Sequence, residues 1–306
     1  MKKIIKSDKK NNYLVTISIG KQLTNNWKKY IFPSWKMYCK KNGLGLIYFT
    51  KDLINKKHPK WKKPTWQKLL IGDTLKNERI NNLCYLDTDI MINPFSPNIF
   101  SNYNKKKIFA SSNIFGLPYD LKNAQKKVVF FRKKYLNKKY PLDSAIFANK
   151  KNMYKYSNLP VQKDDLCAGL FIFNLKNHSK LMKKWFHKYD TNYKSLTNGD
   201  QVHFSYHVLS SKKFQRLDYK FQAFWIYEMA MNYPFLYFTK NRKIIKECIL
   251  NTLMNNYFLH FPGSWLEGRM WKNNILNKSN IIFYKNLHQY FKKKVYGKPR
   301  GKILQK

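Results

Sequence analysis

The chain has 306 residues, of which 43% are hydrophobic and 17% are aromatic, so it can bury a sizeable core. This composition excludes a largely disordered chain. No stretch of the sequence is long and apolar enough to cross a bilayer as a helix. The lysines that follow Met1 have no apolar segment behind them, which argues against a secretory signal and predicts a cytoplasmic protein.

The positive charge is extreme, because 60 Lys and Arg against 16 Asp and Glu give a net charge of +44. One interpretation is a nucleic-acid-binding or anionic-surface-binding protein. The other is a bias toward residues with A/T-rich codons, since Lys, Asn, Ile, Tyr and Phe are all abundant. The lysines are spread along the chain, which favours the bias over specific nucleic-acid binding. A modest attraction to anionic membranes follows under either interpretation.

The four cysteines are widely separated and form neither a CxxC pair nor a zinc-binding spacing. Two of them, Cys84 and Cys167, lie in apolar runs. We therefore expect reduced, buried thiols.

The first hundred residues alternate between strand and helix patterns. The predicted elements are, in order, a strand at 13–20, a helix at 25–41, a strand at 44–50, a helix at 65–75 and a strand at 83–86. Pro33 should interrupt or bend the first helix, and Thr65 is the predicted N-cap of the second. This order predicts an α/β sheet with parallel strands.

The second half is less regular, and residues 116–163 are basic and aromatic with one predicted helix at 123–135. The other predicted elements are strands at 107–112, 164–174 and 256–263 and helices at 178–189, 202–209 and 242–255. The turn at 198–201 should open the helix that follows it, with Asp200 as a candidate cap.

Two carboxylates, Asp87 and Asp89, interrupt the apolar runs 83–86 and 90–92. In an extended backbone both would point to the same face, with Thr88 on the other. Carboxylates held so close repel each other unless a cation lies between them or one takes a proton. Mg²⁺ or Mn²⁺ is the natural occupant, because such ions bind one or two carboxylates together with substrate phosphates. The alternative is a pair of solvated turn residues, and the apolar flanks favour the metal.

In order along the chain, these signals resemble the GT-A glycosyltransferases, and glycosyltransferase family 8 in particular. The resemblance rests on the first strand, Trp66-Gln67-Lys68, Tyr85-Leu86-Asp87-Thr88-Asp89, the Ala168-Gly169-Leu170 strand, and Asp200-Gln201 followed by His260-Phe261-Pro262-Gly263. It implies an α/β GT-A fold whose mixed, mostly parallel central sheet is flanked by helices. The implied domain is 1–265, and residues 266–306 form a basic, aromatic C-terminal extension.

The resemblance also implies the roles of individual residues. Asp87, Asp89 and His260 would hold Mn²⁺ or Mg²⁺, and Asp200 and Gln201 would face the transferred sugar as catalytic residues. The donor-binding residues would be Thr16, Ile17, Ser18, Lys68, Asp87, Thr88, Gly169 and Gly263. Taken alone, His260 is typical of a strand end, Asp200 of a helix cap and Lys68 of a solvated charge. The chain departs from the family at Cys167, where an Asn is common, and at 264–266, where a Lys is common.

The implied activity is transfer of a hexose from a nucleoside-diphosphate sugar, in particular a UDP-sugar, to a glycan or glycolipid hydroxyl with retention. Polysaccharide or lipopolysaccharide biosynthesis would be the setting, and the basic C-terminus could bring the enzyme to an anionic membrane. A nucleotidyltransferase ranks lower, because it would normally have a glycine-rich phosphate loop after the first strand, and that loop contains only Gly20.

Overall fold

The structure is a computed structural model that describes residues 2–8, 10–135, 149–194, 199–239 and 241–262. Its strands are β1 (Lys2–Ile5), β2 (Asn12–Ile17), β3 (Gly45–Phe49), β4 (Asn82–Leu86), β5 (Ile90–Ile92), β6 (Ile108–Ser112), β7 (Leu166–Asn174), β8 (Phe214–Arg216), β9 (Ala223–Phe224) and β10 (Phe258–His260). Its α-helices are α1 (Lys21–Asn26), α2 (Phe32–Asn42), α3 (Pro64–Gln67), α4 (Ile71–Thr74), α5 (Leu121–Tyr135), α6 (Lys150–Tyr156), α7 (Leu175–His187), α8 (Gln201–Ser210), α9 (Trp225–Asn232) and α10 (Arg242–Asn255).

The larger sheet has seven strands in the order β1-β3-β2-β4-β7-β6-β8. Strands β2, β3 and β4 are parallel, as their helical crossovers require. Strands β1 and β7 run against the other five. The prediction of an α/β fold with a mixed, mostly parallel central sheet is therefore confirmed.

The sheet is covered on both faces, which explains why its central strands are apolar throughout. Every residue of β2, β3 and β7 is buried. The two faces of the sheet pack against two separate hydrophobic clusters. In β2, Leu14 belongs to one cluster and Val15 to the other, because successive side chains of a strand point to opposite faces.

A smaller three-stranded sheet, in the order β5-β10-β9, lies beyond the carboxyl end of β4. In its antiparallel β5–β10 pair, His260 is opposite Ile90. The residue before Ile90 is Asp89, so this pairing brings two distant parts of the sequence to one place.

The helices differ from the predictions mainly at their ends. Thr65 is not the N-cap as predicted, because the helix begins at Pro64 and Lys63 occupies the cap position without a side-chain hydrogen bond. Proline suits the first turn of a helix because it has no N–H group to satisfy. Pro33 lies in the first turn of α2, directly after the π-helical turn Trp27–Ile31 that interrupts the α-helical pattern of residues 21–42.

Two further observations concern the cysteines and the helices. All four cysteines are free thiols, and Cys39, Cys84 and Cys167 are buried, whereas Cys248 is partly exposed. None of the helices that the structure describes combines the length and the apolar character needed to span a membrane. The predicted C-terminal extension, 266–306, lies outside the described residues, so the domain division stays a prediction.

Candidate functional site

The two carboxylates of the central motif lie in the loop that joins β4 to β5. The expectation of an extended backbone through this motif is wrong, because β4 ends at Leu86 and residues 88–89 form a turn. The loop is tied to β7, since the Asp87 amide donates to the Gly169 carbonyl at 2.8 Å. The turn, rather than strand alternation, directs both carboxylates toward β10.

Asp87, Asp89 and His260 form a cluster whose potential ligand atoms all lie within 4.8 Å of one another. His260 Nε2 is 3.3 Å from Asp89 Oδ1. Two carboxylates and an imidazole suit Mn²⁺, and they leave coordination positions for the oxygens of a phosphorylated ligand. The donor set therefore fits the divalent cation that the sequence predicted.

The pKa values of His260 and Asp87 are shifted by burial and by the charges of their neighbours. Burial alone lowers the pKa of His260, but the neighbouring Asp89 carboxylate overrides it and raises that pKa to about 10. Enclosure by the protein raises the pKa of Asp87, an effect that Lys68 opposes and Asp89 reinforces. A cation would replace the proton on the imidazole and relieve the repulsion between the carboxylates.

Gln222 lies behind the imidazole of His260. Its Nε2 atom is 3.2 Å from His260 Nδ1, while no group in the described part of the chain donates to its buried Oε1. The two ends of an amide are nearly the same size, so the side chain fits its site in either orientation and its hydrogen bonds decide between them. Turned over, the amide would accept from Nδ1–H, which would leave the Nε2 lone pair of His260 available to a cation held together with Asp89.

Lys68 is almost completely buried beside the cluster, with its Nζ atom 3.2 Å from Asp200 Oδ2 and 3.9 Å from Asp87 Oδ1. Its ammonium group also donates to the Ala168 carbonyl at 2.8 Å. Burial lowers the pKa of Lys68, but Asp200 and then Asp87 outweigh this and raise it above its usual value. Lys68 is therefore a fixed charge at the site and not one of the many solvated lysines.

Gly169 leaves space at the centre of the cluster. A Cβ atom built on it would lie 2.5 Å from His260 Cε1 and 2.8 Å from Asp87 Oδ2. Both distances are far shorter than van der Waals contacts allow, so any side chain at this position would displace two of the three candidate ligands. The site requires glycine for space, which the sequence alone could not show.

The cluster opens into a cavity of about 390 Å³. Of the predicted site residues, the cavity is lined by Lys68, Asp87, Gly169, Asp200, Gln201 and His260. Asp200 does not cap α8 through its side chain, because that carboxylate faces Lys68 instead. Burial raises the pKa of Asp200 to about 6, although Lys68 opposes the shift.

The other predicted residues are not among those that line this cavity. Thr16, Ile17 and Ser18 are buried at the end of β2, where the Ser18 hydroxyl donates to Thr24 Oγ1 at 3.1 Å. Thr88 is buried in the turn between the two aspartates. Gly263 lies outside the residues that the structure describes. The roles of these residues in donor binding stay predictions.

Asp165 lines the same cavity, and the sequence did not single it out as a site residue. Its Oδ2 atom accepts from Asn113 at 2.7 Å and from Gln201 at 3.2 Å. Among the residues that the structure describes, none donates a hydrogen bond to its buried Oδ1 atom. Burial raises the pKa of Asp165 to about 6. The adjacent Asp164, in contrast, is engaged structurally by Ser112 and Arg216.

No protein-family model matches the sequence, and neither does any curated protein. The structure is similar to a glycosyltransferase involved in glycosylation of the major capsid of PBCV-1, with 8% identity, a TM-score of 0.48, and 85% of this chain and 98% of that chain covered. It is similar to the bifunctional WbbM glycosyltransferase, with 12% identity, a TM-score of 0.49, and 91% of this chain but 52% of that one covered.

The galactosyltransferase LgtC, solved with donor and acceptor sugar analogues, is 11% identical with a TM-score of 0.43, and the match covers 85% of this chain and 94% of LgtC. Likenesses this distant do not transfer an activity to this chain. Function must therefore be judged from the residues of the site.

Proposed function

We propose that this protein is a metal-dependent glycosyltransferase that moves a hexose from a nucleoside-diphosphate sugar, in particular a UDP-sugar, to a glycan or glycolipid hydroxyl. The observation that carries the proposal is the Asp87, Asp89 and His260 cluster, which opens into a cavity with buried carboxylates. Such a cavity can hold both a cation-bound diphosphate and the sugar attached to it.

In this proposal Asp87, Asp89 and His260 hold Mn²⁺ or Mg²⁺. The bound ion would stabilise the negative charge that develops on the nucleoside diphosphate as the sugar leaves. Lys68 keeps Asp87 and Asp200 in place and adds a fixed positive charge near the diphosphate. Thr16, Ile17 and Ser18, at the end of the neighbouring parallel strand, would lie under the base and ribose, as nucleotides bind at such strand ends.

The reacting sugar would face the cavity wall formed by Asp200, Gln201 and Asp165. Gln201 donates to Asp165, which holds that carboxylate in a fixed orientation. The free Oδ1 of Asp165 can accept a hydrogen bond from a sugar hydroxyl. Retention of the anomeric configuration is the outcome we expect from the family resemblance, and NMR of the first-formed product would test it.

The proposal is tested by calorimetric titration with UDP and with GDP, each with and without Mn²⁺. We expect metal-dependent binding of one nucleotide, and UDP is the one we propose. Asp89→Asn should abolish the metal-dependent part of the binding. Asp218→Asn is the matched control, because Asp218 is exposed and its carboxylate accepts from the Lys220 amide, which an asparagine can also do.

Absence of metal-dependent binding for both nucleotides would overturn the proposal. So would equal binding by wild type and Asp89→Asn. Salt-sensitive binding of nucleic acid in place of nucleotide would instead support the alternative based on the net charge of +44.

A further inference from the structure

The C-terminal half of α5 exposes aromatic side chains together with lysines. Phe130 is 54% exposed and Tyr135 is 36% exposed. Lys126, Lys133 and Lys134 are also exposed, and α5 contains no acidic residue. Single exposed apolar residues are ordinary, but aromatic rings set among lysines are typical of surfaces that bind lipid headgroups.

A second exposed aromatic pair lies beside α5. The 3₁₀ turn Pro234–Tyr237 packs against α5 and presents Phe235 at 46% exposure, followed by Phe238 at 54%. The four rings Phe130, Tyr135, Phe235 and Phe238, with Lys126, Lys133 and Lys134, are called the aromatic–lysine surface below.

The residues of this surface are held by ring–ring and lysine–ring contacts. The Phe131 ring stacks on Tyr237 with centroids 4.8 Å apart, which joins α5 to the 3₁₀ turn. Tyr135 meets Phe238 edge to face at 4.1 Å. Lys134 Nζ lies 5.5 Å from the Phe130 ring centroid and 5.3 Å from that of Tyr135. The exposed rings are therefore held in place before any partner binds, which lowers the entropic cost of docking.

The surface is continuous with the candidate active site. Lys122 and Gln125, on the first turns of α5, line the site cavity. The same two residues line a neighbouring depression that extends along α5 to Lys126, Val129 and Phe130. An elongated molecule whose reactive end lies in the cavity could therefore follow α5 outward to the exposed rings.

We propose that the aromatic–lysine surface docks the protein on an anionic lipid bilayer. Charge complementarity selects this occupant, because the lysines attract anionic headgroups while the rings enter the interfacial region. The basic residues 266–306 and a second copy of this +44 chain are poor partners, since like charges would meet. A membrane-embedded acceptor would then reach the cavity along α5. That last step rests on the proposed glycosyl transfer, whereas the docking itself does not.

The test is co-sedimentation of the full chain with phosphatidylcholine vesicles, with and without roughly one third phosphatidylglycerol. Wild type should bind the anionic vesicles much more strongly than the neutral ones. Phe130→Gln/Phe238→Gln should weaken that binding about tenfold or more. Tyr156→Gln is the matched aromatic control, because Tyr156 is 53% exposed on α6.

A second pair of variants separates a local surface from bulk charge. Lys133→Gln/Lys134→Gln should weaken binding by about fivefold per lysine. Lys36→Gln/Lys40→Gln removes the same charge from exposed positions of α2 and should have little effect. Equal loss in both double variants would overturn the proposal, and so would unchanged binding after removal of the two phenylalanines.

Metal-dependent UDP binding, measured on the same variants, keeps the two proposals distinguishable. Retained nucleotide binding with lost vesicle binding supports docking through this surface and shows that the variant is folded. If the wild type binds no nucleotide but the surface variants still lose vesicle binding, the proposed function is overturned and the docking proposal stands. Failure of wild type to bind anionic vesicles would overturn the docking alone.

Discussion

Lys68 and Asp200 form an ion pair of 3.2 Å in which both side chains are more than nine-tenths buried. The pair links the 3₁₀ turn Lys68–Leu70 to the start of α8 and forms one wall of the candidate active site. It thus contributes both to the fold and to the charge balance of the site.

We predict that Lys68→Met lowers the free energy of unfolding at pH 7 by about 3–5 kcal/mol, because the buried Asp200 carboxylate and the partly exposed Asp87 carboxylate lose their cation. Urea denaturation measures this change. Lys183→Met is the control, since Lys183 forms a partly exposed 2.9 Å pair with Asp73, and its loss should lower the free energy of unfolding by less than about 1 kcal/mol. Equal effects of the two variants would show that burial does not strengthen the Lys68 pair.

Gly169→Ala should abolish metal-dependent nucleotide binding, because the new methyl group would displace His260 and Asp87. Binding is measured by titration with UDP and Mn²⁺. Gly45→Ala is the control for crowding alone, since a Cβ there would meet only the Tyr13 ring among its closest neighbours. Nucleotide affinity retained in Gly169→Ala would mean that the cluster does not hold the cation.

Asp165→Asn should reduce sugar transfer by about 100-fold or more while leaving metal-dependent UDP binding intact. The same variant should be more stable at neutral pH. Because the pKa of Asp165 is raised to about 6, its contribution to stability is present at low pH and is lost as the pH rises through 6. Above that pH, removing the carboxylate charge should raise the free energy of unfolding by up to about 3 kcal/mol.

Urea unfolding at pH 7 and a transfer assay test both parts of this prediction. Asp164→Asn is the comparison, because Asp164 pairs with Arg216 and its loss should reduce stability instead. A variant at Asp165 with normal turnover would exclude this carboxylate from the reaction.

His203 and His207 should make the protein sensitive to acid. Burial lowers the pKa of each to about 4. Both are therefore neutral in the folded protein, and their contribution to stability is present above pH 6.5 and is lost as the pH falls toward 4. A glutamine at this position can keep the 2.8 Å contact with the Tyr189 hydroxyl. His207→Gln should therefore reduce the loss of unfolding free energy between pH 6.5 and 4 by up to about 3 kcal/mol.

Unfolding free energies of wild type and His207→Gln, measured from pH 7 to about pH 4, test the prediction. His58→Gln is the control, because His58 is exposed. Parallel stability curves for all three proteins would contradict a role for buried imidazoles.

The parts of the structure that local patterns determine were predictable. The apolar runs at β2, β3 and β4 predicted the parallel strands and predicted that Asp87 lies at a strand end. The position of His260 depends on pairing with β5, and the buried state of Asp165 depends on Asn113 and Gln201. Contacts between residues distant in sequence determine both features, and a single sequence does not contain that information in any local pattern.

The pairing of β5 with β10 also determines when the three-residue cluster can assemble during protein synthesis. Asp87 and Asp89 leave the ribosome early, but His260 follows only after most of the chain has been made. A nascent chain that contains only the aspartates has an incomplete ligand set and would hold a divalent cation weakly. Capture of the proposed cation should therefore follow docking of β10, the last described strand.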